Sequence, residues 1–420
     1  MTRQRTVLLI AFHFPPIKGG SGVQRTLRFT QYLPKFGWRP IVLSIDPRAY
    51  EERANVVGNE VSADLLVERA FGLDTARHLS LFGRYPERLA LPDRWMTWQF
   101  AAVRAALRIV KEHNVDAIWS TFPIATAHVI GMRVAKRTAL PWIAEFRDPM
   151  WQSDWPIQPV ANRYWRALEE QIIAHADKVV FVAPSAIQMY ATRYPAQPTK
   201  KFGLLPNGYD EESFARAAML TPPPRQKGPV VLLHSGIVYG SERNPTQLFA
   251  ALASLKAKGA IDSARLQIVL RDAGAEADFK SELQRLQIDD LVRFAPLIDY
   301  LTALREMTDV DGLLLLQAAN CNAQVPAKLY EYLRAKRPIL ALTDAAGDTA
   351  RTLDAVNAGL IGQLDSAADI EAKLLLFLKQ LQDNSFRKPA PGTVEKFSRE
   401  SQSGQLAQLL MDLVAAREHG

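Results

Sequence analysis

At 420 residues, 48% apolar and 23% charged, the chain has the composition of an ordinary globular protein and is too long for one compact core. That excludes fibrous and disordered classes and suggests two large domains or three small ones. The net charge of +7 and pI near 9.4 suit anionic partners such as a nucleotide or an anionic membrane surface; no nucleic-acid module is present, so none is expected there.

Cys321 is the only cysteine, so no intrachain disulfide can form. The apolar run Val7–Phe12 is too short for a signal segment, and no stretch approaches the roughly 20 apolar residues that span a bilayer. The expected location is cytoplasmic, with peripheral contact at the inner face of the membrane left open.

In chain order, Thr6–Phe12 reads as a buried strand, followed by a Pro/Gly loop and a helical pattern over Val23–Phe36. Pro40–Ile45, Ala117–Thr121, Trp142–Phe146 and Lys178–Ala183 read as further strands, with helices near 97–113, 124–138 and 160–176. Lys201–Asp210 reads as a short strand ending in an Asn207-Gly208 turn. The proline-rich stretch Thr221–Pro229 then suits a linker or surface loop. A second strand series follows: Val230–His234, Ala264–Leu270, Val292–Ala295, Gly312–Leu316, Pro338–Leu342 and Gly359–Ile361. Helical segments near 245–258, 276–287, 299–307, 326–336, 346–357 and 366–383 separate them, and Ser398–Arg417 reads as a closing helix. Such alternation predicts two consecutive doubly wound α/β domains. Ligands of doubly wound sheets lie beyond the carboxyl ends of the strands, so one shared cleft is expected.

Three strand-to-helix junctions carry cations. After the first strand stands His13-Phe-Pro-Pro-Ile-Lys-Gly-Gly-Ser-Gly-Val-Gln-Arg25, with a helix start near Ser21 or Gly22 and Lys18 and Arg25 beside it. After the first strand of the second series, Asn244 suits a helix cap, Pro245 the first helical position, and Arg243 lies just outside. At the third, Pro326 places Lys328 in a first turn, where a cation opposes the helix dipole. Taken singly, these read equally as a plain turn, a solvated loop cation and a surface pair between Lys328 and Glu331. Together they point to an anion with several charges, and a diphosphate fits; Glu331, three residues after Lys328, then suits a ribose diol.

Five segments in order, His13–Gly20, Ala144-Glu-Phe-Arg-Asp-Pro149, Leu205-Pro-Asn-Gly-Tyr-Asp210, His234-Ser-Gly236 and Val325-Pro-Ala-Lys-Leu-Tyr-Glu-Tyr-Leu333, resemble the GT-B retaining glycosyltransferases of family 4. The resemblance runs from about residue 6 to 380. It implies a GT-B fold of two Rossmann-like doubly wound domains facing a central cleft: residues 1–205 on the acceptor side, 206–395 binding the nucleotide sugar, and a terminal helix over 396–420 crossing back to the first domain. Gly19, Gly20 and Gly236 would approach the donor diphosphate. Glu331 matches the second glutamate of the family's Glu-x7-Glu motif and would bind the ribose. The first glutamate is replaced by Ala323, with Gln324 beside it as a hydrogen-bonding group. Ile237 stands where an arginine is common, Arg243 matches a lysine, and Arg271 is a further donor-side cation.

The implied activity is retaining transfer of a sugar from a nucleotide-diphosphate sugar to a glycan, lipid-linked or small-molecule acceptor, in surface polysaccharide or glycoconjugate biosynthesis. Arg243 and Lys328 would stabilise the leaving diphosphate. Arg147, where some members have a histidine, and Asp148 would stand near the reacting centre; an Asp-Pro turn with a structural Arg-Asp pair is the other reading. The seven histidines are scattered, so no metal or other cofactor is expected. The segment Arg84–Trp98 mixes basic and aromatic residues, as either a membrane-facing patch or ordinary packing. A non-catalytic GT-B partner subunit, or a GT-B sugar-nucleotide epimerase or hydrolase, are the alternative functions.

Overall fold

The computed structural model describes residues 3–17, 21–52, 61–152, 155–221, 228–274 and 276–418. The chain forms two compact units: unit 1 comprises Met1–Pro206 and Arg399–Gly420, and unit 2 comprises Asn207–Ser398.

Unit 1 contains β1 (Arg5–Ile10), β2 (Trp38–Ile45), β3 (Val67–Ala70), β4 (Ala117–Thr121), β5 (Trp142–Phe146), β6 (Lys178–Phe181) and β7 (Phe202–Leu204). They form one parallel sheet in the order β3-β2-β1-β4-β5-β6-β7, with Leu8 opposite Ile41 on one side and Ile118 on the other. Side chains alternate between two covered faces. Leu8, Ile10 and Phe12 join Ile41, Leu43 and Trp142 on one face, while Val7, Leu9 and Ala11 join Val42 and Trp119 on the other. This two-sided burial explains why the strands read as continuous apolar runs.

Unit 2 contains β8 (Val230–Ser235), β9 (Leu266–Arg271), β10 (Val292–Ala295), β11 (Gly312–Leu316), β12 (Ile339–Leu342) and β13 (Leu360–Gly362). Their order is β10-β9-β8-β11-β12-β13, again all parallel. In both sheets the order reverses beside the first strand of the series, between β1 and β4 and between β8 and β11. Such a switch point opens a crevice at the carboxyl edge.

Several elements differ from the sequence expectation. The edge strand β3, Val-Glu-Arg-Ala, has no apolar run to reveal it, being only partly buried. The helices Pro184–Arg193 and Glu211–Ala218 were also not anticipated; Asp210 caps the second through a bond from the Ser213 amide at 2.9 Å. The helices after β8 and β11 begin one residue later than expected, at Thr246 and Ala327. Pro245 takes the cap position of the first, and Asn244, one residue outside it, accepts from the Thr246 amide through Oδ1 at 3.0 Å. The division between units falls at Pro206 and Asn207, before the proline-rich stretch, whose residues 222–227 lie outside the described set.

The last helix, Arg399–Glu418, belongs to unit 1. Leu406, Leu410 and Val414 are buried with Val7, Leu9, Phe29, Leu33 and Trp38, and Arg5 and Asp177 pair with Glu418 and Arg417. The helix therefore completes one face of the first sheet. All eight tryptophans lie in unit 1, so their fluorescence reports its unfolding selectively. Leu410→Ala is expected to destabilise that transition by about 2–5 kcal/mol, the cost of a core cavity, measured by urea unfolding. An unchanged midpoint would contradict the packing role.

Candidate functional site

Two groups of polar side chains stand at the carboxyl edges of the sheets, one in each unit. In unit 1 the dominant feature is a buried ion pair. Arg25, on the helix Ser21–Tyr32, donates from Nε and Nη2 to Glu145 Oε1 on β5 at 3.0 and 2.7 Å. Its remaining donors reach the carbonyls of Leu205 and Pro206, both at 2.8 Å, and Thr121 Oγ1 on β4 donates to Glu145 Oε2 at 2.9 Å. Arg25 and Glu145 are almost completely buried, and this full set of partners is what makes two buried charges tolerable. The expectation that Arg25 attends an external anion is thereby corrected: its charge is consumed inside the protein.

Among the described residues, the cation that lies against that helix start is Arg147. Its guanidinium occupies the space beside Gly22, where an added Cβ would come within 2.3 Å of Nη1, and its Nε donates to the Phe122 carbonyl at 2.6 Å. Neighbouring Asp148 is exposed, and its charge acts on Arg147. Burial, and then the Arg147 charge, push the His13 imidazole down to about 4, so it is neutral at pH 7. Gly19 and Gly20, the expected diphosphate loop, lie outside the described residues.

In unit 2 the site is assembled on β8, β9 and the helix Ala327–Ala335. His234, the penultimate residue of β8, is fully buried. Its Nδ1 lies 3.1 Å from the Leu314 carbonyl, which can only accept, so Nδ1 carries the proton. Nε2 is then an acceptor, and Lys328 Nζ donates to it at 3.2 Å. Burial, and then the Lys328 charge, hold this histidine well below the usual range, in its neutral form. The following residue but one, Gly236, has φ +115°, and an added Cβ there would meet Lys328 Nζ at 2.9 Å. Glycine thus serves both the backbone conformation and the close approach of the ammonium.

Desolvation, and then the Arg243 guanidinium, lower the Lys328 ammonium to about 7, against the opposing pull of Glu331 and Asp272. Arg243 donates to the Ile237 carbonyl at 2.8 Å and lies over the Tyr239 ring at 5.0 Å. Two like charges held close together, one of them poorly solvated, constitute a site that an anion stabilises. Glu331 accepts from the Tyr300 hydroxyl at 2.9 Å. Gln324 lies in the turn before the helix, its carbonyl accepting from Gln317 Nε2 at 3.1 Å.

Arg271 is held by other groups of unit 2. Its Nε and Nη2 bind both oxygens of Glu306, at 2.9 and 2.5 Å, and Nη1 binds the Pro296 carbonyl. That charge is committed to the protein, and the residue contributes to the site through its carbonyl, which accepts from the Gly236 amide at 2.8 Å. Sequence reasoning missed Tyr300 and Asp272. The first follows a capping Asp299 at a helix start after β10, a signal of the same kind as the other junctions. Asp272 adopts a positive φ of 53° beyond β9, which the Arg-Asp-Ala-Gly sequence does not announce.

Among the described residues, no group of three or more His, Cys, Asp or Glu side chains is placed to hold a metal ion, and no helix is long and apolar enough to cross a membrane.

With this geometry in view, the comparisons with known proteins are direct. The model of Glycosyltransferase Family 4 matches residues 20–213, slightly less than half of the chain. A sucrose-phosphate synthase from Thermosynechococcus elongatus superposes with a TM-score of 0.67 at 17% identity, covering 98% of this chain and 100% of that one. The α,α-trehalose 6-phosphate synthase of Burkholderia multivorans gives 0.64 at 10% identity, covering 99% and 98%. Anabaena HepE, in complex with UDP and glucose, gives 0.59 at 13% identity, covering 97% and 100%. No curated protein matches the chain. The chain therefore has the GT-B fold of glycosyltransferases, two Rossmann-like α/β units. Within that class it resembles glycosyltransferase family 4 over residues 20–213.

Glu145→Gln removes one charge of the buried pair while keeping its shape. It should destabilise unit 1 by about 3–5 kcal/mol by leaving the Arg25 guanidinium uncompensated, read by tryptophan fluorescence in urea. A loss below about 1 kcal/mol would show that Arg25 finds adequate compensation elsewhere.

Proposed function

We propose that the chain is a retaining glycosyltransferase that takes a sugar from a nucleotide-diphosphate sugar. The acceptor is a glycan, a lipid-linked sugar or a small molecule, in a surface polysaccharide or glycoconjugate route. The observation that carries this reading is the pairing of Lys328 with neutral His234 against Gly236, beside Arg243 and Glu331. It offers cations for a diphosphate and a carboxylate for a ribose on one edge of one sheet. The UDP and glucose bound by HepE, together with the family 4 match, make a uridine-diphosphate sugar the first donor to test.

In this reading the bond between the anomeric carbon and the diphosphate oxygen breaks while a bond to the acceptor hydroxyl oxygen forms. Lys328 and Arg243 stabilise the charge that develops on the leaving diphosphate. Glu331, oriented by Tyr300, holds the ribose hydroxyls, and Gly236 lets the phosphates approach the backbone. Gln324 supplies hydrogen bonds to the transferred sugar in place of the charge that Ala323 lacks. Unit 1 takes the acceptor, with Arg147 as a fixed cation and Asp148 as its orienting group or base. The retaining outcome follows from the family resemblance, as does the expectation that no metal is required. Action in the cytoplasm belongs to the same reading.

Ala323 also supports a second reading, a GT-B subunit that binds a nucleotide sugar or a partner without turnover. A screen of nucleotide sugars for hydrolysis and transfer separates the two, because turnover with any donor rules out the non-catalytic reading.

Glu331→Ala should weaken UDP binding about ten- to a hundredfold, the loss of a charged hydrogen bond worth about 1.5–3 kcal/mol. Calorimetric affinity equal to that of the parent would remove its ribose role. A pH dependence follows from Lys328. With its ammonium near 7 in the empty site, a bound diphosphate favours the charged form and raises that value, so binding at pH 8 takes up a proton. Affinity should therefore fall as pH rises above about 7, by at most about tenfold per pH unit, until the value for the complex is reached. Calorimetry in buffers of different ionisation enthalpy measures the uptake, and Lys328→Met should abolish it. Uptake that persists in that variant assigns the proton to another group.

A further inference from the structure

Charge is distributed very unevenly along this chain. Of its 51 Lys and Arg residues, 29 belong to unit 1 together with 20 of the 44 Asp and Glu, a net of +9; the remaining 22 and 24 give unit 2 a net of −2. The net basicity of the whole protein therefore resides in unit 1, and this asymmetry is of the kind that selects an anionic surface.

Unit 1 also displays apolar side chains at a tight turn. Leu81 and Arg84 exchange both backbone hydrogen bonds, at 2.8 and 3.0 Å, and the two residues between them, Phe82 and Gly83, have φ of 49° and 74°. Two positive φ values in a two-residue turn normally select Asn-Gly or Gly-Gly. Here the first is a phenylalanine that is 95% exposed, beside a Leu81 that is 72% exposed. A bulky residue in the left-handed region costs free energy and gains no internal packing, so the folded unit offers no account of it.

The turn is held firmly. Arg94 clamps Asp74 through two hydrogen bonds, Asp74 caps the helix Thr75–His78 that leads into the turn, and Thr75 Oγ1 donates to the Leu89 carbonyl at 2.6 Å. A second apolar group stands at the start of the helix Pro159–His175, with Ile157 77% exposed and Trp155 and Tyr164 about half exposed. Trp165 of that helix donates to the Pro92 carbonyl at 2.7 Å, tying it to the segment that Arg94 anchors. Arg84, Arg88 and Arg163 are exposed beside these groups, and the acids next to them in sequence are Glu87 and Asp154.

We propose that this rim of unit 1 docks on an anionic lipid bilayer. Leu81 and Phe82 enter the boundary between headgroups and acyl chains, Trp155, Ile157 and Tyr164 rest at the interface, and Arg84, Arg88 and Arg163 meet lipid phosphates. Apolar residues with aromatic and basic neighbours suit that layered environment. A second copy of unit 1 is disfavoured by the repulsion of two units that each carry a net +9. Nucleic acid would satisfy the arginines but leave Leu81 and Ile157 without an apolar partner. The inference does not depend on sugar transfer, because its test reads partitioning and not turnover.

The test is co-sedimentation of the full chain with vesicles of phosphatidylcholine alone and of phosphatidylcholine mixed equally with phosphatidylglycerol. Binding to the mixed vesicles only, weakened by salt, is the expected result. Leu81→Ser combined with Phe82→Gly should reduce partitioning about tenfold or more, from the apolar area withheld from the bilayer. Glycine suits the positive φ, so the turn is retained and the unfolding transition should be unchanged. Ile157→Ser, on the other group, provides an independent variant if that transition does shift. Equal binding to neutral vesicles, no binding to either, undiminished binding of both variants, or an apolar-dependent dimer in place of vesicle binding would each overturn the proposal.

Discussion

A fully parallel sheet admits no hairpins, so each strand must be followed by a crossover that returns the chain to the opposite edge. Both sheets here obey that constraint, and much else depends on it. The crossovers cover both faces with helices, which makes the central strands largely apolar. Polar chemistry is thereby displaced to the carboxyl edge, where each strand hands over to the next helix. In unit 1 that edge carries His13, Glu145 and Arg147; in unit 2 it carries His234, Gly236, Asp272 and Gln324, with Lys328 and Glu331 on the helix that follows. Residues distant in sequence meet because strand ends are neighbours.

The two edges treat a cation without full hydration in opposite ways. Arg25 is enclosed with a carboxylate and two carbonyls, so its charge is satisfied internally and it serves the fold. Lys328 is given an imidazole nitrogen that can only accept, a glycine that leaves room, and a neighbouring guanidinium that repels it. Its ammonium is therefore destabilised until something anionic arrives. A perturbed titration with specific causes, placed at a strand edge, marks a binding site more strongly than the presence of a lysine alone. Arg271 shows the converse, since a cation at the end of β9 is neutralised by Glu306.

This contrast explains what was legible in the sequence. Strands such as Leu-Leu-Leu-Leu in β11 and the helix starts after β1, β8 and β11 were readable because periodicity and helix-start chemistry are local properties. The half-buried β3 and the helices Pro184–Arg193 and Glu211–Ala218 were not, because their amphipathic faces acquire meaning only from the elements they cover. For site residues the limit is sharper. Sequence can place Arg25, Arg147, Arg243, Arg271 and Lys328 near helix starts and strand ends, but the carboxylate that claims a given arginine comes from elsewhere in the fold. Glu145 is 120 positions from Arg25, and Glu306 is 35 from Arg271. Tyr300 was missed for the same reason, since its partner Glu331 lies on another helix.

Positive charge has two uses in this molecule. At the carboxyl edge of unit 2, charge is local and tuned: Lys328 and Arg243 act on one another at short range, and the unit as a whole is slightly acidic. Across unit 1, charge is diffuse, mostly solvated and accompanied by apolar side chains that the fold leaves uncovered. Short-range cations discriminate a compact ligand with several charges, whereas a diffuse positive field is screened within about 10 Å at 0.1 M salt and is suited to extended anionic surfaces. Phe82 links that field to the backbone. A glycine or asparagine would relieve the strain of its positive φ, so the physical gain that offsets an exposed phenyl ring there must come from something outside the folded unit.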